Sequence, residues 1–212
     1  MKNGGKTFLY EIFKRRYFRG ILAFPAVILY KKSKNISKIQ SDIARFLHYT
    51  PYREGSTIAF IYLMSSNKRF RSVFYYRLCN ERSWLKIISI KLLPGYDTIE
   101  INGHIGGGML IHHTFAVISP QRAGRNLTVL PGVVIGRGKH NKSGKRIKPI
   151  IGDNVFIGAN ATVIGGITIG NNVTIGAGSV VINDIPDDCT VAGIPARIIS
   201  KKGIERECKK KR

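Results

Sequence analysis

The sequence predicts a mainly β chain, folded as a parallel solenoid of six-residue rungs behind a helical N-terminal region. Two regularities carry the prediction. Aliphatic residues recur at every sixth position across residues 99–181: Ile99, Ile105, Ile111, Val117, Ala123, Val129 and Ile135, then Ile151, Ile157, Val163, Ile169, Ile175 and Val181. A helix needs a period near 3.6 and an ordinary strand a period of 2, so neither accounts for six. The residue after the aliphatic is often glycine, as at Gly106, Gly124, Gly136, Gly152, Gly158, Gly170 and Gly176. Small or left-handed-tolerant residues suit a tight corner between very short strands. No such rung is stable alone, so stacked turns must form one cooperative array.

At 212 residues the chain can hold one large domain or two small ones. The pattern divides it into a basic helical region at 1–95, the solenoid at 96–199 with a loop at 137–150, and a basic tail at 200–212. Cys79, Cys189 and Cys208 are too scattered for a disulfide framework or a metal site, which fits a reducing cytoplasm. The N-terminus lacks the basic, apolar and small-residue order of a signal peptide. The formal charge is +23, from 35 Lys and Arg against 12 Asp and Glu, crowded outside the repeats. Such a surface attracts nucleic acid, acidic lipid or a phosphorylated ligand. No zinc-finger, aromatic RNA-binding or helix-turn-helix signature accompanies it, so no specific nucleic-acid partner is expected.

Taken in order, residues 1–19 read as a basic helix bearing aromatics. Residues 20–30 (GILAFPAVILY) are apolar but far shorter than the ~20 residues that cross a bilayer. They read either as a helix packed on its neighbours or as a peripheral anchor on an anionic inner membrane face, with Lys31, Lys32 and Lys34 beside it. A helix capped at Ser41 or Asp42 follows, then one near residues 58–65. A third spans 68–78, with Phe70, Val73, Phe74 and Leu78 on one buried face. Arg69, Arg71 and Arg77 on it read as a solvated face or an anion site. Residues 84–93 continue apolar to a break at Pro94-Gly95. Within the solenoid the register lapses after Ile135 and resumes at Ile151, leaving an excursion of four or ten residues rich in Gly, Lys, Ser and Asn.

The hexad pattern resembles the hexapeptide-repeat acyltransferases. The run Ile105-Gly-Gly-Gly-Met-Leu-Ile-His-His113 resembles their serine acetyltransferase branch (I-G-x-G-x-x-[LI]-x-H), as does the ending from Ile175 through Val191-Ala-Gly-Ile-Pro-Ala-Arg197. The resemblance covers about residues 99–199. It implies a left-handed parallel β-helix of three faces with ~18 residues per coil. It also implies a homotrimer, alone or paired into a dimer of trimers, in which the extended loop covers a neighbouring subunit's site. The reaction implied is acetyl transfer from acetyl-CoA to a hydroxyl.

By the same resemblance His113 is the general base that takes the proton of the attacking hydroxyl. Read on the residues alone, it is a surface histidine on a β corner. The family's orienting carboxylate falls on Thr98, flanked by Asp97 and Glu100. The backbone of Gly158-Ala159 and Gly176-Ala177 matches the positions that hold the pantetheine arm, although corner geometry alone also explains these residues. Arg197, Lys201 and Lys202 are placed for the CoA phosphates. In the loop, the Arg and His that hold the amino acid in serine acetyltransferases fall on Ile147 and Lys148, with Arg146 and Lys148 left as cations. That departure points to a sugar hydroxyl, free or lipid-linked, as acceptor, as in the capsule and exopolysaccharide members. L-serine is the alternative of the same class, and a non-catalytic solenoid scaffold the alternative of another.

Overall fold

The computed structural model describes residues 19–47, 57–138 and 147–201; the expectations placed on residues 1–18, Arg146 and Lys202 lie outside them. The chain divides into two compact units, Met1–Tyr96 and Asp97–Arg212.

The first unit contains α1 (Phe24–Lys32), α2 (Ile36–Leu47), α3 (Thr57–Ser66), α4 (Lys68–Arg77) and α5 (Trp84–Leu92). Pro25 lies in the first turn of α1, where its missing amide has no helical partner to lose. One face of the apolar run at 20–30 is packed inward, with Ile21 and Phe24 left exposed: Ala23, Ala26, Leu29 and Tyr30 join Ile39, Ile43, Phe60, Phe70 and Phe74 in one core. Tyr30 stacks on Phe60 at 4.5 Å between ring centroids, and Phe60 meets Phe70 and Phe74 edge-on. Among the described residues, no helix is long and apolar enough to cross a membrane.

Three local expectations change here. α2 begins at Ile36, so Ser41 is not a cap; it lies mid-helix, its hydroxyl donating to the Ser37 carbonyl at 3.0 Å. Asp42 is buried rather than terminal, because it answers Arg77: Nε donates to Oδ2 at 2.8 Å and Nη2 to Oδ1 at 3.0 Å. Arg71 is buried too, its Nε on the Pro94 carbonyl at 2.8 Å and its Nη1 on the Met64 carbonyl at 2.7 Å. Neither arginine is a solvated charge, because neighbouring segments cover both and direct their guanidinium groups at internal acceptors.

The second unit is a parallel β-solenoid of about five turns with three walls, consistent with the left-handed form. The first wall stacks residues 99–101, 116–118, 134–136, 162–164 and 180–181; the second stacks 104–105, 122–123, 150–151 and 168–169. The third stacks 110–111, 128–129, 156–157, 174–175 and 189–193. Ile105 pairs with Ala123 and Ile111 with Val129, one coil being eighteen residues. Ala123 pairs with Ile151, twenty-eight residues on, so the loop is a ten-residue insertion. Its base is closed by the Gly138 amide on the Ile147 carbonyl at 2.9 Å.

Corner chemistry follows from stacking distance. A Cβ on Gly158 would lie 2.5 Å from the Ala177 nitrogen, so only glycine lets those coils meet. At the corner after the second wall, Asn126, Asn154, Asn172 and Asp188 all hold φ between +58° and +61° or, for Asn172, +55°. Their side chains form a ladder: Asn126 donates to Asn154 at 2.9 Å, Asn154 to Asn172 at 3.1 Å and Asn172 to Asp188 at 3.0 Å. Short amide side chains tolerate this backbone better than branched ones. The array ends in an antiparallel hairpin, Cys189–Gly193 with Ala196–Lys201, laid on the third wall.

One expected inward residue is turned out. Val117 is exposed, while Ala116 and Ile118 are buried. Ile118 pairs with Ile135, seventeen residues on, whereas the third wall before it advances by eighteen. The corner between Ile111 and Ile118 therefore holds one residue more than the next, between Val129 and Ile135. An added residue reverses which side chains face the core.

Replacing Asp42 with Asn should leave Arg77 buried without its counter-charge. Chemical unfolding is expected to show a loss of about 3–5 kcal/mol, borne by the helical unit.

Candidate active site

The enlarged corner is the one that carries His113. Regular corners after the third wall place their left-handed residue three positions past the inward aliphatic, at Gly132, Asn160 and Gly178. Here it comes one position earlier, on His113 at φ +65°, and the side chain is exposed. Histidine in this region is uncommon and marks a backbone held by its surroundings. The holding groups are visible. The His112 amide donates to the Val129 carbonyl at 2.9 Å, the Ala116 amide donates to the Thr98 carbonyl at 3.3 Å, and the Thr98 hydroxyl donates to the Thr114 carbonyl. The corner is thus tied to the coil above it and to the entry of the first wall.

The slot of the family's carboxylate is therefore filled by a hydroxyl that grips backbone beside His113. Asp97 is exposed next to that grip. Glu100 is on the first wall opposite Val117, where its carboxylate accepts from Asn102 Nδ2 at 2.7 Å. Of the two flanking acids, Asp97 directly precedes Thr98, whose hydroxyl and carbonyl hold the histidine corner.

Stacking puts other expected residues on the same edge. His113, Ala159 and Ala177 each stand two positions after an aliphatic of the third wall, Ile111, Ile157 and Ile175, with Pro131 between them after Val129. The amides of Gly158 and Gly176 are spent on the carbonyls of Ile175 and Val191, at 2.8 Å each. Ala159 and Ala177 offer amides with no hydrogen bond to a described residue. Three rungs of about 4.8 Å separate the first coil from the fourth, so the edge runs roughly 14 Å from His113 to Ala177. Arg197 and Lys201 are exposed on the outermost strand of the third wall, at the end far from His113. Arg197 pairs with Ala192, on the side of the strand that continues the Ala177 edge, whereas Lys201 pairs with Cys189 at the strand's other end. The edge therefore offers an exposed imidazole at one end, amide donors of Ala159 and Ala177 along it and the Arg197 guanidinium at the other.

Lys148 is not brought to this edge. Its Nζ donates to Ser119 Oγ at 2.9 Å, on the corner that follows the first wall. The features that sequence reading missed are the Thr98 grip and the additional corner residue. The spacing of seven from Ile111 to Ile118 was the signal, masked because Val117 and Ile118 are both aliphatic. Among the described residues no group of His, Cys, Asp and Glu could hold a metal ion.

Comparison with known proteins bears on the chemistry. Residues 148–183 match the bacterial transferase hexapeptide (six repeats) family model. A serine acetyltransferase of Synechococcus elongatus is 44% identical over 116 residues, which are 54% of this chain and 46% of that protein. The chain thus spans about half the length of the curated relatives it matches. Among solved structures, the serine acetyltransferase of Neisseria gonorrhoeae aligns with a TM-score of 0.60 and 28% identity, covering 82% of this chain and 67% of that one. Soybean serine acetyltransferase aligns with a TM-score of 0.56 and 30% identity, covering 77% and 68%. A Brucella abortus serine acetyltransferase, solved in complex with coenzyme A, aligns with a TM-score of 0.57 and 25% identity, covering 82% and 70%.

These relatives overturn the sugar acceptor and the capsule branch expected above. That expectation rested on the changed loop positions Ile147 and Lys148. Lys148 is a tie between coils on a different edge, so its charge says nothing about a glycan. With five turns of paired rungs, the six-residue register and these likenesses in hand, the chain belongs to the hexapeptide-repeat transferases.

Proposed function

We propose that the protein is an acetyl-CoA-dependent serine O-acetyltransferase, with His113 as its general base. The observation that carries this reading is the alignment on one solenoid edge of an exposed imidazole, the corner amides of Ala159 and Ala177 and the Arg197 side chain, in a chain similar to serine acetyltransferases. The His113 imidazole removes the proton of the serine hydroxyl as that oxygen attacks the thioester carbonyl. The tetrahedral oxyanion collapses, the carbon–sulfur bond breaks, and the imidazolium returns the proton to the departing thiolate. The amides of Ala159 and Ala177 hold the pantetheine carbonyls, and Arg197 and Lys201 meet the phosphates. Asp97, beside the Thr98 grip, orients the imidazole. Arg146 and Lys148 were candidate substrate contacts; Lys148 is occupied by Ser119, and Arg146 retains that role only as a cation of the loop.

A homotrimer is the working form in this reading. It is supported by apolar side chains left in water around the histidine corner: Phe115 is 52% exposed, and Val117 and Val134 stand in register on the outer face of the first wall. A neighbouring subunit would cover them and form the second side of the crevice.

Purified protein given acetyl-CoA and L-serine is expected to release thiol at a rate that depends on both; folded protein giving no serine-dependent release would refute the assignment. His113→Ala should cut kcat by ~10²–10⁴-fold with the fold intact. Thr98→Val should loosen the corner, speeding amide hydrogen exchange at residues 112–116 and costing about 1 kcal/mol in unfolding free energy. Ala177→Pro removes one free amide at a corner position where Pro131 already occurs two coils earlier. The expected result is a raised KM for acetyl-CoA, kcat little changed and thermal unfolding near that of the parent.

A further inference from the structure

We propose that the outward face of α5 docks on an anionic lipid surface, a property separate from acetyl transfer. This helix buries a serine and leaves several large apolar side chains in water. Ser89 is fully buried, and Leu85 packs against the helical core. The Tyr75 hydroxyl, close to the Ser89 and Leu93 carbonyls at 2.8 Å each, pins the C-terminal half. Trp84 and Ile87 are left 69% and 59% exposed, with Ile90 and Leu92 also in water. Positions 84, 87 and 91 share one face of a helix, so Lys91 lies beside the Trp and Ile. Phe24, equally exposed, opens α1, the helix packed against α5. Burying a serine while solvating a tryptophan and an isoleucine runs against transfer energies, and the arrangement is reasonable only if something apolar covers that face.

Charge selects the occupant. Asp42 and Glu81 are the acidic side chains of the described residues 19–47 and 57–96, and Asp42 is consumed by Arg77. Lys31, Lys32, Lys34, Arg82 and Lys91 are exposed on α1, α5 and the segments next to them. A second copy of this unit would bring the same cations face to face. A bilayer with anionic headgroups accepts both features at once, the aromatic and aliphatic side chains at the acyl boundary and the lysines among the headgroups. The buried face of the run at 20–30 belongs to the core, and the docking element is the exposed face of α5 together with Phe24 of the helix packed against it.

The test uses the full chain and its single tryptophan, Trp84, as the probe. Phosphatidylglycerol-containing vesicles should shift its emission to the blue, and brominated acyl chains should quench it, whereas pure phosphatidylcholine vesicles should do neither. Ile87→Glu, at an exposed position, should weaken vesicle co-sedimentation at least tenfold while circular dichroism and serine-dependent thiol release stay as in the parent. Three results would each overturn the proposal. One is unchanged emission on anionic vesicles. Another is binding that Ile87→Glu leaves intact, which would reduce it to general electrostatics. The third is a blue shift that grows with protein concentration without lipid, which would mean a second copy covers the face.

Discussion

The rung spacing of a parallel solenoid governs what each residue of the second unit can be. Every coil donates its amides to the coil beside it, so strands, corners and side chains repeat at about 4.8 Å. At that distance a corner has room for a glycine hydrogen but not a methyl group, as beneath Ala177. It also has room for amide side chains that bond to their copies above, as in the ladder that ends on Asp188. Stability is shared between neighbouring coils, and the final hairpin covers the last exposed edge of the third wall.

A perfectly regular stack would offer only identical edges. The site arises where regularity fails, at the corner lengthened by one residue. The extra residue turns Val117 outward, takes the left-handed position for His113 and leaves the imidazole in solvent. The neighbouring coil and the Thr98 hydroxyl hold that strained backbone in place. Further along the edge the amides of Ala159 and Ala177 have no hydrogen bond to a described residue, two donors that an extended ligand can follow. The candidate site thus combines one lengthened corner with a stack that is otherwise broken only by the ten-residue loop.

The helical unit obeys different rules. Its core is aromatic and is fixed by a buried Arg77–Asp42 pair and by Arg71 on two carbonyls. The high positive charge is accordingly of two kinds. Among the described residues Arg71 and Arg77 are internal staples, while Lys31, Lys32, Lys34, Arg82 and Lys91 are exposed.

The sequence by itself determined the solenoid, its start, its interruption and its resumption at Ile151, because a six-residue period is local chemistry repeated. It also marked His113, through its offset from Ile111, and the glycine corners. It did not determine the length of the loop insertion, which pairing across twenty-eight residues resolved. It misread Val117, since adjacent aliphatics leave the register ambiguous until strands pair. It misread Arg71, Arg77 and Asp42, since burial of a charge depends on partners brought in by folding: Asp42 for Arg77, thirty-five residues away, and the Met64 and Pro94 carbonyls for Arg71. Only tertiary structure placed His113, Ala159 and Ala177 on one edge, because residues far apart in the chain become neighbours only when coils stack.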